Sequence, residues 1–192
     1  MSANNIENGL ISESSQAAIE KWLAKYPADK RQSALIPALS IVQEQNGGWL
    51  DEPLMDAVAL YLGLSKIAVY EVASFYSMFD LEKVGRNKIA VCNNISCMLC
   101  GADDIIKHIE DKLDIKMGES TADGRYTLKR EEECLAACGG GPMMTVNGHY
   151  YEDLTTSKVD SILDDIAFCD ERREDVEGRV CHEEGFRVSR HV

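Results

Sequence analysis

Four of the seven cysteines fall in two tight pairs, Cys92 with Cys97 in VCNNISCMLC and Cys134 with Cys138 in ECLAACGGGP. Thiolates gathered by twos in polar, glycine-rich loops cost folding stability unless something binds them, and four together suit an iron–sulfur cluster or zinc. Buried free thiols are a weaker alternative. A free Cys behaves as a small hydrophobe and has no reason to collect in such loops.

Two segments of different character must position these pairs. The first 80 residues read as helices. Ser12 caps one reaching about Tyr26, and Ser33 caps a second whose Leu35, Leu39 and Val42 share a face before the Asn46, Gly47, Gly48 stop. A third starts at Asp51 and Pro53, buries Leu54, Val58 and Tyr61, and ends at Gly63. Ser65 opens a fourth with Ile67, Tyr70 and Ala73 inward. Four short amphipathic helices make a small bundle without chemistry of its own, and Trp49, Tyr70, Phe75, Tyr76 and Phe79 read as its aromatic core.

After Phe75 the period turns strand-like. FYSMF is expected to form a strand, Gly85 and Arg86 to turn the chain, and KIAVC to form a second strand ending on Cys92. Ala102, Ile105, Ile106, Ile109 and Leu113 then mark a helix face, placing the first pair in a strand-to-helix loop. RYTLKR alternates as a strand before the second pair. MMTV and HYY flank the Asn147, Gly148 turn as a hairpin, and Val159, Ile162, Leu163 and Ile166 mark a closing helix. The fold expected is an α/β layer on one sheet, and both cysteine loops meet at one end if their leading strands run parallel.

Spacing alone leaves three arrangements open. Structural zinc prefers CxxC knuckles, a spacing found here only for Cys97 with Cys100. Cys92, Cys97 and Cys100 reproduce the CxxxxCxxC run of plant-type [2Fe–2S] ferredoxins, which would need one of Cys134 and Cys138 in addition. The third arrangement, a cage of Cys92, Cys97, Cys134 and Cys138, is the one spacing favours. Cys169, Cys181, His182 and His191 make a poor second metal set, since the two cysteines lie far apart in a charged stretch of weak periodicity.

Composition narrows the function classes. The net charge is −13, with 20 basic against 33 acidic residues, which argues against nucleic-acid binding and suits solubility or docking to a basic partner. No apolar run approaches the roughly 20 residues of a membrane span, and MSANNIENGLISESSQ resembles neither a signal nor a transit peptide. The chain reads as a cytosolic, bacterial-style protein. Reduced thiols there favour metal or redox chemistry over a disulfide framework. There is no GxGxxG after a strand, no GxxxxGK[ST] and no legible nucleophile and base.

The stretches SALIPALSIVQEQNGGWL, VYEVASFYSMF, VCNNISCMLCGA and ECLAACGGGPMMTVNGHYYEDLT together resemble the thioredoxin-like [2Fe–2S] subunit of NADH:quinone oxidoreductase, respiratory complex I, over about residues 15 to 168. The resemblance implies a thioredoxin-like [2Fe–2S] ferredoxin domain over 81–168, after the helical bundle over 1–80, while the last 24 residues, dense in charge and poor in periodicity, read as a tail over 169–192. It implies one [2Fe–2S] cluster on Cys92, Cys97, Cys134 and Cys138, with Cys100 outside the set. It further implies an electron carrier peripheral to the inner membrane, docked through its bundle to a partner subunit that holds FMN and NADH. The same subunit type serves NAD-linked hydrogenases and formate dehydrogenases, so that host is an alternative; a zinc-stabilised interaction module is another. Two departures stand out: Gly139-Gly140-Gly141-Pro142, where the family has fewer glycines and ends in Ala-Pro, and the tail past Phe168, which matches nothing in the family. Those glycines are expected to form an amide nest for the anionic cluster, helped by the N-terminus of the helix after Cys97. Asn93 and Asn94 are expected to serve their own turn.

Overall fold

A computed structural model describes residues 9–130 and 134–175. Helix α1 (Glu13–Leu23) starts where Ser12, in extended conformation, accepts from the Ser15 amide. Ser33 does not cap the next helix. It lies inside a 3-10 turn, Arg31–Ala34, that runs straight into α2 (Leu35–Gln45). Leu35, Leu39 and Val42 are buried as their spacing requires. In α3 (Glu52–Leu62), the Asp51 carboxylate accepts from the Leu54 amide at 2.9 Å, and Gly63 closes the helix at φ 69°. That conformation is nearly free only for glycine.

Helix α4 (Lys66–Phe75) corrects two expectations. Val69 and Ala73 face the core, while Ile67 is 63% exposed and Tyr70 is half-buried, its hydroxyl donating to Asp56 at 2.6 Å. The inward stripe is Val69 and Ala73, four apart: Ala73 is buried as expected, Tyr70 packs at the edge of the core, and Ile67, two residues before Val69, faces out. FYSMF is no strand. Phe75 ends α4 and is 75% exposed, so it leaves the aromatic core that Phe79 does join. The backbone polar groups of this segment find partners other than a ladder. The Phe79 amide donates to the Tyr76 carbonyl, and Gln43 donates to the Met78 carbonyl while accepting from the Asp80 amide.

The sheet has strands β1 (Asn87–Val91), β2 (Tyr126–Leu128), β3 (Met144–Val146) and β4 (His149–Tyr151) in the order β2-β1-β3-β4. β1 and β2 are parallel, and the other pairs are antiparallel. Asn147 and Gly148, at φ 51° and 82°, turn the β3–β4 hairpin. Helices α6 (Ala102–Leu113) and α7 (Thr156–Asp175) cover the sheet with Ile105, Ile106 and Ile109 and with Val159, Ile162, Leu163 and Ile166. This core is separate from that of the bundle, which gathers residues between Ile11 and Phe79.

Asp80 joins the two. Its carboxylate meets Lys88 Nζ at 2.9 Å and Lys129 Nζ at 3.5 Å; Lys88 also donates to the Gly48 carbonyl and Lys129 to that of Ser77. Cys181, His182, His191 and the chain past Asp175 lie outside the described residues.

Candidate metal centre

β1 delivers Cys92 at its end, where the Cys92 amide donates to the Met143 carbonyl just before β3. The parallel β2 runs the same way, and the two cysteine loops meet at that end of the sheet. Cys92 and Cys97 are buried with Ala102 and Met143, and Leu135 and Ala137 of the second loop pack on them.

A short helix that the sequence periodicity does not announce, α5 (Ile95–Leu99), carries Cys97. Cys100 caps its C-terminus, its amide donating to the carbonyls of Ser96 and Cys97, both at 3.1 Å. Gly101 then turns at φ 96° into α6. Cys100 thus ends one helix instead of starting the next, and no long helix directs its N-terminus from just after Cys97.

In the second pair both thiols are exposed, with Cys134 Sγ and Cys138 Sγ 3.7 Å apart. The glycines after them are used for close approach. A Cβ on Gly141 would lie 3.4 Å from Cys97 Sγ and 3.6 Å from Cys100 Sγ, and one on Gly140 would lie 2.7 Å from the Cβ of Glu152. None of Gly139, Gly140 and Gly141 adopts the left-handed conformation that an alternating nest requires; Ala136 does, at φ 59°. The expected nest is therefore not built.

The donors that reach the sulfurs come from elsewhere. The amides of Asn94 and Leu135 and the Asn94 side chain donate to Cys92, and the Met143 amide donates to Cys97. The Ser96 hydroxyl reaches Cys138 across the two loops. Asn94, expected to serve its own turn, instead gives its amide and its side chain to Cys92. A backbone amide carries no signature of its own in a sequence.

In each pair one thiol raises the pKa of the other. Burial opposes ionisation of Cys92, yet the Asn94 and Leu135 amides together with the Cys97 thiol outweigh it and lower its pKa. Burial, and then the Cys92 sulfur, push Cys97 up to about 11. Cys138 is raised by its hydrogen bond with Cys134 and by that neighbour's charge. Two thiolates a few ångströms apart ionise together only when a cation binds both, since like charges so placed repel. Four thiols in two pairs, with N–H donors on the buried sulfurs, are a donor set that fits a [2Fe–2S] group.

A family model described as "Thioredoxin-like [2Fe-2S] ferredoxin" matches residues 19–167. "NADH dehydrogenase [ubiquinone] flavoprotein 2, mitochondrial" of Dictyostelium discoideum is 49% identical over 148 residues, 77% of this chain and 60% of that protein. A subunit of the NADH-quinone oxidoreductase of Rickettsia conorii is 46% identical over 145 residues, 76% of this chain and 86% of that protein. Among solved structures, an NAD+-reducing [NiFe]-hydrogenase in the air-oxidized state superposes with a TM-score of 0.59 at 21% identity, over 72% of this chain and 24% of that chain. That likeness bears on the fold alone.

Proposed function

Because the chain belongs to the thioredoxin-like [2Fe-2S] ferredoxin family, we propose that it is an electron-transfer subunit of an NADH:quinone oxidoreductase, holding one [2Fe–2S] cluster on Cys92, Cys97, Cys134 and Cys138. The observation that carries this reading is the meeting of two thiol pairs at one end of the sheet, bridged by the Leu135 amide on Cys92 and the Ser96 hydroxyl on Cys138. When bound, such a cluster supplies reversible one-electron transfer.

The chain's own residues hold and tune the site. Amides from Asn94, Leu135 and Met143 stabilise negative charge on the Cys92 and Cys97 sulfurs, and buried Met143 and Ala102 keep water from that side. Cys134 and Cys138 stay at the surface, the side from which an electron enters or leaves. FMN and NADH belong on a partner subunit. Docking of that partner on the helical bundle, residues 1–80, is supported by the apolar side chains of Ile67, Phe75 and Met78 that this unit leaves exposed. The thioredoxin-like unit then spans 81–168, with the charged tail after it.

The complex I host is favoured because relatives at 42% to 49% identity carry NADH dehydrogenase or NADH-quinone oxidoreductase names. No described helix is long and apolar enough to cross a membrane, in keeping with a peripheral place on the cytoplasmic side of the inner membrane. The test is affinity capture of the tagged chain from its own cells. Recovery of a flavoprotein with quinone-reductase subunits supports the reading, and recovery with hydrogenase subunits overturns it.

A further inference from the structure

Cys100 is left unused by this ligand set, yet it lies beside one of its members. Cys97 and Cys100 form a C-x-x-C across the last turn of α5, where the Cys100 amide donates to the Cys97 carbonyl at 3.1 Å. Residues three apart on a helical turn have Cα atoms about 5 Å apart, within the range a disulfide spans. Both sulfurs lie against the same point, 3.4 Å and 3.6 Å from where a Cβ of Gly141 would sit, with no side chain there to part them. Cys97 is buried and Cys100 is exposed, so Cys100 is the thiol open to a reagent and Cys97 is shielded from it.

We propose that Cys97 and Cys100 are a reversible dithiol/disulfide site in the cluster-free chain, and that the disulfide removes Cys97 from the ligand set and blocks cluster loading. This rests on the ligand assignment above. The co-reactant is a small-molecule disulfide such as oxidised glutathione. The Cys100 thiolate attacks one of its sulfurs, the glutathione S–S bond breaks, and one glutathione leaves as a thiol. Cys97 then attacks the Cys100 sulfur of the mixed disulfide, forming the Cys97–Cys100 bond and releasing the second glutathione. Two protein thiols are oxidised and one disulfide is reduced to two thiols, which carry away both protons. The second step is intramolecular, so proximity favours it over release of the adduct. A dithiol reductant reverses both steps. Cys134 with Cys138, whose sulfurs are 3.7 Å apart, and Cys92 with Cys97, whose thiols hydrogen-bond, can also oxidise, and peptide mapping separates the three bonds.

The experiment uses the full chain, cluster-free and first reduced, with and without oxidised glutathione, followed by peptide mapping and by anaerobic loading with iron and sulfide free of thiols. The expected result is a Cys97–Cys100 linked peptide, loss of loading, and recovery after phosphine reduction. The Cys100→Ser chain after the same oxidant should load at least about fivefold better than oxidised wild type. Glutathione on Cys100 with Cys97 still free to alkylate would overturn the proposal, as would equal loading by the two oxidised chains. Failure of the reduced wild-type chain to take up iron would instead sink the cluster reading itself.

Discussion

Ile89 of β1 and Leu128 of β2 are partners in parallel register, both fully buried, and their pairing sends the two strands to the end of the sheet where the cysteine loops meet. β2 has three residues, and its ends are also held by the Leu128 amide on the Glu119 carbonyl and the Tyr126 hydroxyl on the Leu163 carbonyl. Leu128→Ala should lower unfolding free energy by about 2–5 kcal/mol, and Ile89→Val by about 0.5–1.5 kcal/mol. Urea denaturation of the reduced, cluster-free chain measures both.

Gly140 is the tightest glycine contact of the second cysteine loop. A Cβ there meets the Cβ of Glu152 at 2.7 Å, and the Gly140 carbonyl already accepts from the Asp153 amide at 2.7 Å, so neither backbone can give easily. Gly140→Ala should destabilise by about 1–3 kcal/mol. Adding Glu152→Ala should recover little of the loss because it keeps the Cβ, whereas adding Glu152→Gly should recover more. Urea midpoints of the three variants decide.

Asp80 neutralises two lysines at the joint between bundle and sheet, and side-chain exposure there is only 12% for Asp80 and 13% for Lys129. Asp80→Asn should cost about 1–3 kcal/mol by leaving those ammonium groups short of a counter-charge. In a Lys129→Met background the same change should cost less, a coupling that a double-mutant cycle reads.

The Lys112 ammonium, and then His108, hydrogen-bond the Asp160 carboxylate and hold its pKa below the ordinary 3.8. Unfolding raises that pKa, so the unfolded chain binds the proton more tightly. The pair therefore stabilises the fold above that ordinary value, and its contribution is lost as pH falls through the lowered one. Asp160→Asn should flatten the fall in urea midpoint between pH 5 and pH 3 (about one unit either side of the ordinary value) relative to wild type. An identical slope in the two chains would contradict this.

Much of this was legible because periodicity and caps are local signals. The Asp51 and Gly63 limits of α3, the Asn147-Gly148 hairpin and the buried faces of α6 and α7 follow from residue types a few positions apart. FYSMF misled because its alternation is strand-like while its hydrogen bonds are taken by Gln43, more than thirty residues earlier. Ile67 and Phe75 misled because apolar type does not say whether a helix face is covered. The cysteine pairs were visible, but the amides of Leu135 and Met143 that reach them were not. The glycine run does not form the expected nest, since glycine signals both unusual dihedrals and close approach, and only the second operates here.

The central claim is that Cys92, Cys97, Cys134 and Cys138 hold the cluster while Cys100 stands beside it. Anaerobic visible and reduced-state EPR spectra of Cys100→Ser and Cys138→Ser, each reconstituted as the full chain with iron and sulfide, test it most directly. The account predicts an unchanged [2Fe–2S] spectrum with two iron and two sulfide per chain for Cys100→Ser, and a lost or shifted spectrum for Cys138→Ser. Loss of the cluster in Cys100→Ser with retention in Cys138→Ser would contradict it and restore the plant-type arrangement.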